Sequence, residues 1–103
     1  MSTRAASGSR ARLAALRRRV DRLDRSIVRL LAARQRLVCG MLPFKTGLRD
    51  ARRETVILKS VVRQAQGRDL DGVFAGAVYR GLLAASRAFL RRRRLARAKA
   101  KSG

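Results

Sequence analysis

Residues 13–45 read LAALRRRVDRLDRSIVRLLAARQRLVCGMLPFK. Large apolar side chains recur there at alternating spacings of three and four residues, which places them on one face of an α-helix. These apolar positions are Leu13, Leu16, Val20, Leu23, Ile27, Leu30, Leu37, Val38 and Met41. Arg34 and Lys45 stand on the same stripe. Because a buried cation costs desolvation free energy unless an anion meets it, the pattern predicts inward-facing cations that bind an acidic ligand.

The rest of the chain also favours an all-α fold of three helices. The chain has 103 residues, one Pro and four aromatic residues, and it lacks strand-length runs of apolar and polar alternation. A first helix predicted over residues 11–42 would be about 48 Å long. A compact domain of this size has a radius of gyration of only about 13 Å. Such a helix needs a second chain to cover its stripe, so we expect an intertwined or side-by-side dimer.

Local signals set the expected helix ends. Pro43 should end or kink the first helix, which leaves Lys45 just past the break. Asp50 is a plausible N-cap for a second helix that runs to about Gln66 and is closed by Gly67. Asp71 should cap the third helix. Its expected inward-facing residues are Val73, Phe74, Ala77, Val78, Leu82, Ala85, Phe89 and Leu90.

The expected organisation is one helical domain between two basic tails. We assign residues 1–10 to a flexible N-terminal tail, 11–92 to the domain and 93–103 to a C-terminal tail. A single cysteine, Cys39, cannot form an internal disulfide, and no run approaches the roughly 18 apolar residues of a membrane span. We therefore expect a soluble protein of the cytoplasm, without a membrane partner.

The net charge of +21, from 27 basic and six acidic residues, predicts an anionic partner. A small polycarboxylate and a nucleic acid both fit. An arginine-rich surface can also reflect base composition of the genome. The basic residues of the C-terminal run are Arg91, Arg92, Arg93, Arg94, Arg97, Lys99 and Lys101. Aromatic stacking residues are scarce and no DNA-reading motif is evident, so a solvated charge run is favoured over a nucleic-acid site.

Missing residue types exclude several chemistries. Without His there is no imidazole base or Ser/His pair, and one Cys cannot form a metal cluster. The glycine spacing matches neither the P-loop nor the dinucleotide fingerprint. We predict no metal and no cofactor, so any catalysis must rest on binding, orientation and fixed charge.

Five segments together resemble the all-helical (type II) chorismate mutase family. They are residues 16–24 (LRRRVDRLD), 30–34 (LLAAR), Lys45, 50–54 (DARRE) and 70–74 (LDGVF) through Ser86-Arg87. The resemblance covers about residues 13–90. It implies a dimer of three-helix protomers that rearranges chorismate to prephenate for aromatic amino acid synthesis, with cations holding the two substrate carboxylates.

The resemblance also implies roles for cationic residues. Arg17 would reach the site from the partner chain, and Arg34 and Arg53 would bind carboxylates in their own chain. Lys45 would donate to the ether oxygen of the breaking bond. Arg34 and Lys45 are thus the expected catalytic pair, whereas Arg17 and Arg53 could instead be ordinary surface residues.

The remaining implied positions are Asp50 and Glu54 at the ring hydroxyl and Ser86 near a substrate carboxylate. Asp50 could merely be a cap, Glu54 half of a surface pair and Ser86 a packing residue. Leu90 stands where the family typically has a Gln or Glu donor to the ether oxygen, and loss of one such donor typically costs about 10²–10³ in rate. Pro43 interrupts the first helix, and the connection from Lys45 to Asp50 is shorter than the family pattern.

These departures leave other functions open. A sister enzyme could act on isochorismate or an amino-substituted chorismate, a possibility that Leu90 and the short connection favour. A non-enzymatic homologue could keep the helical dimer for interaction or regulation. A basic helical protein that binds nucleic acid is the alternative from a different class.

Overall fold

The computed structural model describes residues 2–45, 47 and 49–102. Three α-helices occur in order, α1 (Ser2–Gly40), α2 (Ala51–Gln66) and α3 (Gly72–Ser102), with a short 3₁₀ helix (Leu42–Phe44) after α1. The described residues contain no strand. The all-α class and the three helices are therefore confirmed. The predicted short connection from Lys45 to Asp50 includes residues 46 and 48, which lie outside the described residues.

Helix α1 is longer at its start than the sequence indicated. It begins at Ser2, nine residues before the predicted start at Ala11, so most of the predicted N-terminal tail is helical. Residues 2–10 contain two Ala and two Arg, which are good helix formers, and also three Ser, one Thr and one Gly, which are weaker ones. At its other end α1 stops at Gly40, and Pro43 lies in the first turn of the 3₁₀ helix. Helix α1 thus ends close to Pro43, as predicted.

The chain divides into two compact units, residues 1–38 and 39–103. The first unit is a single helical segment, and its apolar stripe is exposed in the single chain. Leu16 is 52% exposed, Leu23 63% and Leu37 71%. One chain alone therefore leaves this stripe uncovered, and its burial by a second chain stays a prediction.

The second unit is built on a hairpin of α2 and α3. A Cβ placed on Gly72 would lie 3.5 Å from Val62 Cγ1, and Glu54 near the start of α2 contacts Arg87 far along α3. The two helices are therefore antiparallel. The buried side chains of this unit are Leu42 of the 3₁₀ helix, Ala65 of α2, and Ala75, Leu83 and Leu90 of α3.

The face of α3 that packs differs from the predicted one. Leu90 is buried and Leu82 and Phe89 are half-buried, as expected. The other predicted inward residues are exposed, and they are Val73, Phe74, Ala77, Val78 and Ala85. In the second unit α3 packs against one short helix, which covers only a narrow strip through Ala75, Gly76 and Leu83.

The expected caps of α2 and α3 are present. Asp50 Oδ1 accepts from Arg53 N at 3.0 Å, and Asp71 Oδ2 accepts from Phe74 N at 2.9 Å. Gly67 is the C-cap of α2, with φ of −76°. The chain reverses at Asp69, whose φ of 53° lies in the left-handed region, and Leu70 N donates to Ala65 O at 3.0 Å. Asp tolerates this conformation better than most residues, so the turn needs no glycine there.

Helix α3 continues through the segment predicted as a basic tail and ends at Ser102. By length and composition alone it could also cross a membrane, although the sequence had suggested no such run. The core helix of a soluble protein can have the same length and composition. Such a core helix is mostly buried, whereas only 22% of the most apolar segment of α3 is buried in the described residues. The feature is weak evidence for a membrane.

Candidate active site at one end of the α2–α3 hairpin

An ion pair joins α2 to α3 at the end of the hairpin. Arg87 Nη1 donates to Glu54 Oε1 at 2.5 Å and to Glu54 Oε2 at 2.6 Å. The side chains are 26% and 18% exposed, so both groups are largely removed from water. Glu54 was predicted as a site residue, whereas Arg87 was not assigned a role. Only Arg80 and Arg87 are charged between residues 72 and 90. A cation within an apolar stretch was the reason for predicting Arg34 as a site residue, and the same pattern could have identified Arg87.

Asp50 and Arg53 belong to the first turn of α2, beside Glu54. The capping bond from Arg53 N to Asp50 Oδ1 confirms that Asp50 is the N-cap of α2, and its contact with a ligand stays a prediction. Both side chains are exposed. The cap fixes where α2 starts and therefore where Glu54 meets Arg87.

Lys45 lies at the same end of the hairpin. It follows the 3₁₀ helix in extended conformation, with φ of −107° and ψ of 135°, and is half-buried. Its N–H donates to Leu42 O at 3.2 Å, and its carbonyl accepts from Arg94 Nη2 at 3.4 Å. Lys45 therefore lies outside α1 and beside α3, which agrees with the break expected at Pro43.

Ser86 and Leu90 are one helical turn apart on α3. Ser86 is half-buried, and Leu90 is only 2% exposed. As placed in the single chain, Leu90 belongs to the apolar core of the hairpin. A leucine there offers no hydrogen-bond donor to a ligand.

Arg17 and Arg34 lie in the first unit, on α1. Arg17 is exposed and Arg34 is half-buried. Seventeen helical residues separate them, which is about 26 Å along the axis. One small diacid cannot contact both residues of one straight helix, so the two arginines cannot serve the same site from the same chain.

Six of the eight predicted residues thus occur in the second unit, and the described contacts join Glu54 to Arg87 and Lys45 to Arg94. Residues 45–54 and 86–94 together carry nine basic and two acidic side chains, an excess of seven positive charges. An excess of positive charge favours the binding of an anion. No cluster of three metal-ligating side chains occurs among the residues that the structure describes.

A separate surface hollow lies on α2, further along the helix than Glu54. Its lining residues are Leu58, Lys59, Val62, Arg63 and Gln66. None was predicted as a site residue. The hollow is open and largely apolar, a surface suited to packing against a helix rather than to holding a small anion.

Comparison with known families agrees with the resemblance seen in the sequence. Residues 16–91 match the family model described as chorismate mutase type II. The chain therefore belongs to the chorismate mutase type II family. No curated protein and no solved structure matched the chain. All eight predicted site residues lie within the matched segment, whereas residues 92–103 lie beyond it.

Proposed function

We propose that the protein is a chorismate mutase that rearranges chorismate to prephenate in the cytoplasm. The observation that carries the proposal is the family match over residues 16–91, which contains Lys45, Arg53 and the Arg87–Glu54 ion pair. Chorismate carries two carboxylates, and guanidinium groups bind carboxylates through two parallel hydrogen bonds.

The proposed reaction needs no base, nucleophile or metal. A pericyclic rearrangement is accelerated when the flexible enolpyruvyl arm is held over the ring, which supplies an orientation term. Negative charge develops on the ether oxygen as the C–O bond lengthens, and a preplaced cation such as Lys45 stabilises it. Arg34 and Arg53 would hold the carboxylates in this scheme, with Ser86 near one of them, and Asp50 and Glu54 would contact the ring hydroxyl of the substrate.

We further propose that the active form is a homodimer. Seven large apolar positions of the stripe are exposed on α1, and burial of one such side chain is worth about 1.5–3 kcal/mol. The distance along α1 between Arg17 and Arg34 supports the same arrangement. If both arginines bind substrate, Arg17 must act in a site that does not contain the Arg34 of its own chain. Each site would then receive its Arg17 side chain from the partner chain.

A sister enzyme is the second candidate, and two observations favour it. Leu90 is an apolar core residue where the family typically has a donor, and the Glu54 carboxylate is already engaged by Arg87. Both features change which polar groups a ligand would meet. Isochorismate or an amino-substituted chorismate would be the substrate in that case.

Incubation of the purified protein with each of the three candidate substrates tests these proposals. Product identification separates prephenate from the salicylate and pyruvate that a lyase acting on isochorismate would release. Arg34→Ala should lower kcat/KM strongly, whereas Arg36→Ala, which removes the same charge from an exposed position of α1, should not. If no substrate turns over, direct titration with chorismate decides whether a non-enzymatic homologue has kept the binding site. Absence of both turnover and binding would reject the proposed function.

A further inference from the structure

We propose that the C-terminal extension of α3, residues 91–102, binds the phosphate backbone of duplex nucleic acid. This extension reads RRRRLARAKAKS and contains seven cations and no acidic residue, a charge of +7. The family match ends at residue 91, so all of the extension after its first residue lies beyond the matched segment. The proposal does not depend on the proposed enzymatic function.

The extension projects beyond its packing partner. Since α2 and α3 are antiparallel and Glu54 meets Arg87, the start of α2 at Ala51 lies opposite about Leu90, the last buried residue of α3. Of the cations that follow, Arg94 is half-buried and the other six are exposed. The extension thus presents most of its positive charge to solvent, while the part of α3 that precedes it packs against α2.

Helical geometry places these cations on two sides of the extension. Arg93, Arg97 and Lys101 recur every four residues and form one row with a rise of about 6 Å between neighbours. Arg92 and Lys99, seven residues apart, share a face on the other side. An α-helix fits the major groove of DNA, which is walled by two phosphate strands, so cations on both sides of one helix can meet both walls.

The same features argue against two other partners. A helix that lies on a membrane needs an apolar face opposite its cations, and Leu95 is the only large apolar residue after Leu90. A tight acidic protein partner usually requires aromatic or large apolar anchors, and the extension has no aromatic residue. Binding to phosphates needs only charge and reach. We therefore expect affinity without sequence preference and with steep salt dependence.

Fluorescence anisotropy with two labelled DNA duplexes of unrelated sequence tests the proposal on the full chain. The triple variant Arg93→Ala, Arg97→Ala and Lys101→Ala should bind both duplexes more weakly at about 0.15 M salt. If all three residues contact phosphates, the plot of log K against log salt should become shallower by about 2.7, since each contact contributes about 0.9. Circular dichroism and the oligomeric state should stay as in the parent chain.

The matched control removes three charges from a row on α1. Arg18, Arg22 and Arg25 are exposed and share one helical face, so their triple alanine variant has the same net charge as the α3 variant. It should keep the parent salt slope. Equal losses in the two variants would show a response to net charge alone and would overturn the proposal. Failure of the parent chain to bind either duplex, or binding only to anionic lipid vesicles, would overturn it as well.

Discussion

Arg87 Nη1 bridges both carboxylate oxygens of Glu54, at 2.5 and 2.6 Å, and thereby links α3 to the first turn of α2. The contact crosses the antiparallel hairpin next to the buried Leu90. The guanidinium and the carboxylate neutralise each other at a partly buried position, where an unpaired charge would be strongly destabilising. Glu54 therefore has a structural partner in the free chain, and any contact with a substrate hydroxyl would have to be made by a carboxylate already held by Arg87.

We expect strong coupling between these two residues in a double-mutant cycle of Arg87→Ala and Glu54→Gln. Contacting residues in one ion pair typically show interaction free energies of about 0.5–3 kcal/mol. Urea unfolding of the parent, the two single variants and the double variant measures this term. Arg80→Ala is the control, because Arg80 is exposed and its loss should change stability by less than about 0.5 kcal/mol. A coupling within error of zero would contradict the assigned pair.

The proposed dimer predicts that Ile27→Asp shifts the protein towards monomer. Ile27 is on the apolar stripe of α1 and is 52% exposed in the single chain, so its burial would have to come from a partner. A carboxylate in an apolar interface is strongly unfavourable. Arg25→Ala changes the net charge by the same amount on another face of α1 and should leave the dimer intact. Analytical ultracentrifugation over a range of concentrations provides the measurement. A parent chain that sediments as a monomer would refute the dimer.

Asp50 allows its capping role to be separated from a role in binding. Asp50→Ala should lower the free energy of unfolding by about 1 kcal/mol, because Arg53 N loses its acceptor. Asp50→Asn should keep most of that stability, since asparagine caps about as well. If the Asn variant is stable but turns over substrate more slowly, the charge of Asp50 contributes to function. Equal stability of the Ala and parent chains would argue against the cap.

Leu90→Gln should destabilise the hairpin. Burial of an amide without a partner costs about 1–3 kcal/mol, and Leu90 is among the most buried side chains of the second unit. Leu90→Met, which conserves volume, should cost less than about 1.5 kcal/mol. Thermal unfolding of both variants measures the difference. A Gln variant as stable as the parent would indicate that position 90 faces a polar cavity, and a simultaneous gain in mutase activity would identify it as the missing donor position.

Features that depend on a few neighbouring residues were predictable from the sequence. The caps at Asp50 and Asp71 and the break at Pro43 involve atoms no more than one helical turn apart, so the residue types alone indicate them. The family resemblance likewise located the matched segment closely, because it rests on residue types at fixed spacings. The start of α1 was missed because Ser, Ala and Arg tolerate both helix and coil, so no stop or start signal marks Ala11.

What covers each helix face depends on the partner element rather than on the residue itself. The apolar spacing of α3 allowed several inward faces, and packing against the short α2 selected the strip through Leu83 and Leu90 and left Val73 and Phe74 exposed. The pairing of Arg87 with Glu54 follows from that same register, since residues 33 positions apart meet only once the hairpin has formed. The sequence by itself determined the helical class, the family and most helix ends, since these follow from local patterns. Tertiary structure alone decided which charges pair and which apolar side chains are buried, because both depend on the geometry with which separate helices meet.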